Sequence, residues 1–269
     1  MMHRCRIAIL GMLLASEFAW SHDPVFGQGP HTLFRGGVEL QAGTLLQEAG
    51  TRREQEYGLA LTYGITSDWT VGIEIPFLDI TEAGQSFTGR GEIALRTKYR
   101  VWRKDSLGLQ ESVAVSVAIV PGGTGDDEFA DKGSSDAFLG ASYGYEGRKW
   151  YRWASVGYRA NGENDAGLKK GDLFRIDLVG GIRFRPTGYL EPDWVWMLEL
   201  NGEYMDRARQ NGAELADTGG DLWFASPGLM WTYRNYAIKT GVQIPIAKNQ
   251  NGSQEAVDYR FKLEFEGHF

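Results

Sequence analysis

The chain has 269 residues, with 28 Lys and Arg against 35 Asp and Glu, a formal net charge of −7. No basic excess is available to neutralise phosphates, which excludes nucleic acid as a partner. No long apolar run follows the N-terminal segment, which excludes a helical membrane protein.

The first residues have the pattern of a secretory leader. Arg4 and Arg6 are the basic start, Ile7 to Ala15 the apolar middle, and Ala19 and Ser21 the small residues that a signal peptidase reads. Residues 1–21 are therefore expected to be removed, and the apolar run is too short to span a bilayer. The only cysteine, Cys5, goes with them, so the exported chain cannot be a disulfide scaffold. Loss of Arg4, Arg6 and Glu17 leaves 26 basic residues against 34 acidic ones, a formal −8. Residues 22–32 are expected to form a periplasmic strap. His22, Asp23 and His31 stand close together in it, and nitrogen and oxygen ligands at that density are a candidate transition-metal site, which distant His268 could join.

From Leu33 onward the chain alternates with a period of two, which places successive side chains on opposite faces of a sheet. In 33–46, Phe34, Val38, Leu40 and Ala42 oppose Arg35, Glu39 and Gln41. In 55–65, Tyr57, Leu59, Leu61, Tyr63 and Ile65 share a face. The turn Thr66-Ser67-Asp68 then leads to Trp69, Val71, Ile73, Ile75 and Phe77, with Glu74 opposite. Ile93, Leu95, Thr97, Tyr99 and Val101 oppose Glu92, Arg96, Lys98 and Arg100. Val113 to Ile119 alternates with small polar residues, Leu139 to Tyr145 is broken by glycine, and Ala154, Val156 and Tyr158 follow. Phe174, Ile176, Leu178, Ile182 and Phe184 oppose Arg175, Asp177, Arg183 and Arg185. Trp194, Trp196, Leu198 and Leu200 oppose Glu199. Trp223 to Trp231 and Tyr236 to Ile246 precede a closing strand. In that strand Val257, Tyr259, Phe261, Leu263, Phe265 and Phe269 face away from Asp258, Arg260, Lys262, Glu264, Glu266 and His268.

About twelve strands of this kind predict an all-β fold, a transmembrane antiparallel up-and-down β-barrel over 33–269. Aromatics at 13% and 36 glycines suit interface girdles and many turns. Short connections (66–68, 103–107, 146–149, 186–193 and 234–235) alternate with long ones (47–54, 79–91, 121–136, 161–171, 205–220 and 247–256). Barrels of the bacterial outer membrane have short periplasmic turns and long outer loops, which puts both termini on the periplasmic side.

In this register the lumen-lining candidates are Glu39, Glu74, Glu92, Arg96, Lys98, Arg100, Arg175, Asp177, Arg183, Glu199, Lys239, Arg260, Lys262 and Glu264. Such a mixture either lines a small polar conduit or fills the interior with ion pairs. Loop residues Gly125 to Glu128 with Asp131 are acidic but lack the spacing of a calcium loop. Glycine clusters at 89–91 and 121–125 lack the helix that a phosphate site needs, and no histidine adjoins a serine nucleophile motif. No catalytic residue and no cofactor is expected.

Tyr63-Gly64-Ile65-Thr66-Ser67-Asp68-Trp69-Thr70-Val71-Gly72 followed by Ile75-Pro76-Phe77 resembles a hairpin of the MetA-pathway (phenol-degradation meta-pathway) family of outer-membrane barrels. Gly91-Glu92-Ile93, Gly133 to Gly140, Ser226-Pro227-Gly228-Leu229 and Gly241 to Ile246 are similar to its other strand and turn motifs. The resemblance spans roughly residues 31–269. It implies a bacterial outer-membrane barrel that passes small solutes, aromatic or hydrophobic ones among them, with outer-membrane lipid as its surroundings. It supplies no catalytic residues. The competing expectation is a non-conducting structural or binding barrel with an ion-paired lumen, metal-related through the N-terminal histidines.

Overall fold

The computed structural model describes residues 23–126, 133–188 and 190–269. The expected leader, His22 and the acidic loop residues Asp127, Glu128 and Asp131 lie outside the described residues. The strands are β1 (Val38–Ala49), β2 (Arg52–Thr66), β3 (Trp69–Glu82), β4 (Gln85–Arg90), β5 (Ala94–Ser106), β6 (Leu109–Val120), β7 (Asp136–Gly147) and β8 (Trp150–Ala160). They continue as β9 (Leu168–Lys169), β10 (Leu173–Ile182), β11 (Asp193–Met205), β12 (Arg209–Gln210), β13 (Ala213–Glu214), β14 (Gly220–Tyr233), β15 (Tyr236–Gln250) and β16 (Tyr259–His268).

Twelve of these form a closed antiparallel barrel in which each strand pairs with its sequence neighbour, and β1 pairs with β16 to seal it. The other four are short. β4 extends β3 as a projecting hairpin, and β9, β12 and β13 make a small sheet among the long loops. Closure leaves the twelve wall strands without an open edge, the condition for strands in lipid.

The alternation decides which face each residue takes. Leu59, Leu61, Leu95, Leu178, Leu198 and Ile244 point outward and are about half exposed, while their neighbours Glu56, Lys98, Asp177, Glu199 and Gln243 are buried. Aromatic girdles border this apolar band. Trp194, Trp231 and Tyr233 form a chain of ring contacts near the short turns, and Phe174, Tyr204 and Trp223 form another near the long loops. Placing a charge in this band is expensive. Leu59→Arg, near mid-strand, is expected to lower folding stability in bilayers by about 2–4 kcal/mol. Urea titration of the protein in lipid vesicles checks this.

Three expectations change. The segment 47–54 is not a long loop: β1 and β2 run on to a two-residue turn, Gly50-Thr51, with Gly50 at φ +56°. Glu255 accepts hydrogen bonds from the Thr51 amide (3.0 Å) and hydroxyl (3.1 Å), so the neighbouring β15–β16 loop holds this turn. The first strand begins at Val38 rather than Leu33, because Phe34 to Gly37 turn on Gly36 at φ +79°. And the alternation of β5 is interrupted by a bulge: Val101 has no cross-strand partner between Arg100 and Trp102, so Val101 and Trp102 both face out.

Candidate functional site in the barrel lumen

The inward faces of the strands carry most of the sequence candidates. Glu39, Glu74, Lys98, Glu199, Lys239 and Glu264 are sealed from solvent, and Arg100, Asp177, Arg260 and Lys262 are buried. Arg96 and Arg175 are half-buried on the same face. Arg96 pairs with Glu74 across the β3–β5 ladder. Two candidates sit elsewhere. Glu92 lies before β5 at the long-loop end, where it accepts a hydrogen bond from the Gly123 amide (2.9 Å). Arg183 lies just past β10 at the short-turn end, its guanidinium over the Tyr151 ring (5.2 Å). Arg100 reaches that same end and donates to Asp68 in the turn after β2 (2.7 Å).

The lumen also holds part of the chain that was expected outside it. Asp23 to Pro30 threads into the barrel and is almost wholly buried, so it is not a periplasmic strap. The reason is a set of complementary contacts. The Glu199 carboxylate accepts successive backbone N–H groups from Val25 (2.7 Å), Phe26 (3.2 Å) and Gly27 (2.9 Å). Three consecutive amides converging on one carboxylate form an anion nest built by the segment itself. Lys98 donates to Asp23 Oδ2 (2.9 Å) and to the Gly29 carbonyl (2.8 Å), so both ends of the segment meet one ammonium.

Apolar packing completes the dock. Val25 and Phe26 join Trp153, Val179, Val195, Met197 and Met230 in a single buried cluster. Near the short-turn end, β8, β10, β11 and β14 therefore present an apolar patch to the lumen, where the sequence suggested ionic groups all round. Glycines make the space. A Cβ on Gly228 would come within 2.8 Å of Val25, one on Gly241 within 3.0 Å of Phe26, and one on Gly144 within 2.8 Å of Pro30. The glycines that break β7 are thus relief cut for a chain passing inside. Gly228→Val is expected to weaken docking, seen as faster proteolysis before Val38 with the barrel intact.

Beyond the dock, a polar network continues along the inner face of the wall. Asn201 donates to Asp177 (2.8 Å) and accepts from Ser226 (2.6 Å) and Gln243 (3.2 Å). Arg260 grips Glu203 with two donors (2.6 and 3.0 Å), donates to Gln47 (2.7 Å), and stacks over Phe224 at 4.7 Å. Small cavities of about 10 and 20 Å³ remain on either side of Arg96, each space for about one water.

Sequence reasoning missed Gln41, Gln47, Glu54, Glu56, Asn201, Glu203, Gln243 and Glu266, all buried here. The same period already placed Glu56 on the inward face of the 55–65 strand, and would have placed Glu54 there too had the strand been started before Gln55. Gln41 and Glu266 stood on the polar faces of the first and last strands.

The N-terminal metal candidates are held by other partners. Asp23 faces Lys98, and His31 Nε2 lies 2.6 Å from Glu146, itself bonded to Trp153. Burial pushes the His31 imidazole down, but the neighbouring Glu146 carboxylate and, further off, Asp23 outweigh it and lift His31 above its ordinary 6.5, against a smaller opposing push from Lys98. A raised folded value means that the pairing stabilises fully below 6.5 and is lost as pH rises through the higher folded value. Protease access to the segment is therefore expected to increase on going alkaline, and His31→Gln is expected to abolish that dependence.

This arrangement can be compared with known proteins. The family model described as the MetA-pathway of phenol degradation matches residues 21–261. The crystal structure of an outer membrane channel from Pseudomonas putida superposes with a TM-score of 0.66 at 14% identity, covering 89% of this chain and 98% of that one. The β-domain of the Bordetella autotransporter BrkA gives a TM-score of 0.51 at 13% identity, covering 86% and 99%. No curated protein matches the chain. The structural likenesses establish the twelve-stranded barrel fold, and the match over nearly the whole chain establishes that this protein belongs to the MetA-pathway family of phenol degradation.

Proposed function

We propose that this protein is a passive channel of the bacterial outer membrane, with small solutes, aromatic or hydrophobic ones among them, as its cargo. Family membership and a fold shared with an outer membrane channel support this reading. The observation that carries it is the lumen itself. A column of charged and polar side chains runs along the barrel, and what interrupts it is a short docked segment, Asp23 to Pro30, rather than a folded domain. Its greasy flank at Trp153, Val195 and Met197 offers an apolar solute a surface that an all-ionic lumen would lack. Cleavage after Ser21 would place Asp23 next to the new N-terminus, His22. The reading is non-enzymatic: the family match and the fold shared with a channel support passage rather than a reaction.

Planar-bilayer recording tests the proposal. The intact protein is expected to pass little current, and deletion of residues 23–30 is expected to give a stable, larger conductance. Arg96→Glu in the deleted form is expected to shift ion preference toward cations, since Arg96 lines the space that the segment leaves. A correctly inserted deletion variant that stays silent overturns the channel.

A further inference from the structure

Glu39, Glu266 and His268 form a group of potential metal ligands whose donor atoms all lie within 4.8 Å of one another. We infer that these three side chains bind a divalent transition-metal ion, Zn²⁺ in type, that clasps the first strand to the last.

The register creates the group. Glu39 on β1 and His268 on β16 are direct cross-strand partners, and Glu266 sits two residues before His268 on the same inward face. His268 Nε2 lies 3.5 Å from Glu39 Oε2 and 3.9 Å from Glu266 Oε2. A tetrahedral zinc with ligands about 2.0–2.2 Å away needs donor separations of about 3.3–3.6 Å, so small side-chain shifts close the set. The other oxygen of Glu266 is committed: Oε1 meets Lys239 (2.5 Å) and accepts from Gln41 (3.2 Å), which aims Oε2 toward the imidazole. Those contacts are the supporting shell that orients a metal-binding carboxylate.

Charge favours a cation here. In the connected network, the carboxylates Asp23, Glu39, Glu264 and Glu266 outnumber the ammonium groups Lys98, Lys239 and Lys262. A neutral imidazole with carboxylates suits zinc-like ions better than magnesium or calcium, which prefer oxygen alone. Three protein ligands leave a fourth position for water. His268 is the most exposed of the three, with 17% of its side chain accessible at the short-turn end, which gives an ion its way in. The location gives the ion a task. β1 and β16 close the barrel, and their ends are already tied by paired Val38–Phe269 backbone hydrogen bonds of 2.8 Å. A metal bridging Glu39 and His268 reinforces that seam.

The test titrates ZnCl₂ into the exported chain, without an affinity tag and after chelator treatment, in detergent micelles. Calorimetry is expected to show one equivalent bound, and thermal unfolding is expected to shift upward with zinc. His268→Ala and, as a same-shape control, Glu39→Gln are each expected to weaken binding by more than about tenfold. His31→Ala is expected to leave it unchanged. If His268→Ala fails to fold, Glu39→Gln decides alone. Absence of zinc binding overturns the inference, as does equal binding of Mg²⁺. So does affinity that survives Glu39→Gln or disappears with His31→Ala.

Discussion

Glu199→Ala is expected to release the N-terminal segment and open the lumen. In the native protein that carboxylate accepts from the Val25, Phe26 and Gly27 amides, and Asn201 donates to it at 3.4 Å. Each buried donor left without an acceptor costs about 1–3 kcal/mol, and here several are orphaned at once. A loss of even about 2.8 kcal/mol shifts the docked-to-released ratio about a hundredfold. Single-channel recording is expected to show open probability rising toward that of the 23–30 deletion. Glu199→Gln keeps an oxygen acceptor but loses the charge, and is expected to fall between. Unchanged gating in Glu199→Ala would mean that Lys98 and the apolar cluster suffice to hold the segment, and the carboxylate would lose its assigned role.

Lys239→Met is expected to be the most damaging single change to barrel stability. Its ammonium is sealed between Glu264 (2.7 Å) and Glu266 (2.5 Å), joining β15 to β16, and it also reaches the Asp23 carbonyl at 3.5 Å. Methionine fills similar space but removes the ammonium that two buried carboxylates share, leaving Glu264 with Lys262 at 3.2 Å. Breaking a buried ion pair from one end costs about 3–5 kcal/mol. Adding Glu264→Gln and Glu266→Gln to Lys239→Met removes the stranded charges and is expected to recover much of the loss. Urea unfolding in detergent, followed by far-UV dichroism, reads both effects. A Lys239→Met midpoint equal to wild type would show that water reaches these carboxylates and that the lumen is wetter than its burial indicates.

Much of the wall was legible because its physics is local. Leu59 and Leu61 face lipid while Glu56 and Glu74 face inward for the same reason: a pleated strand alternates, and water and acyl chains sort the two faces. The turn at Ser67-Asp68 and the closing strand ending at Phe269 were readable on that basis. The bulge at Val101 was not. Nothing in Arg100-Val101-Trp102 marks the extra residue, which is defined only against the register of β6. The turn at Gly50-Thr51 was hidden because polar residues on both flanks, from Gln47 to Glu54, resemble a loop until one knows that the barrel interior accepts them.

Taken alone, the order of residues settled the strand period, the number of walls and the side of each wall that meets lipid, since each depends on neighbours a few positions apart. Only the closed barrel decided what occupies its axis. Val25 and Glu199, or Asp23 and Lys98, are far apart along the chain, and no local pattern couples them. Curvature alone brings them together: once twelve strands close, side chains from opposite walls share one narrow space, and a buried carboxylate there must find donors wherever the chain supplies them. The same closure sets Glu39 beside His268, joining the first and last strands of the barrel at one seam.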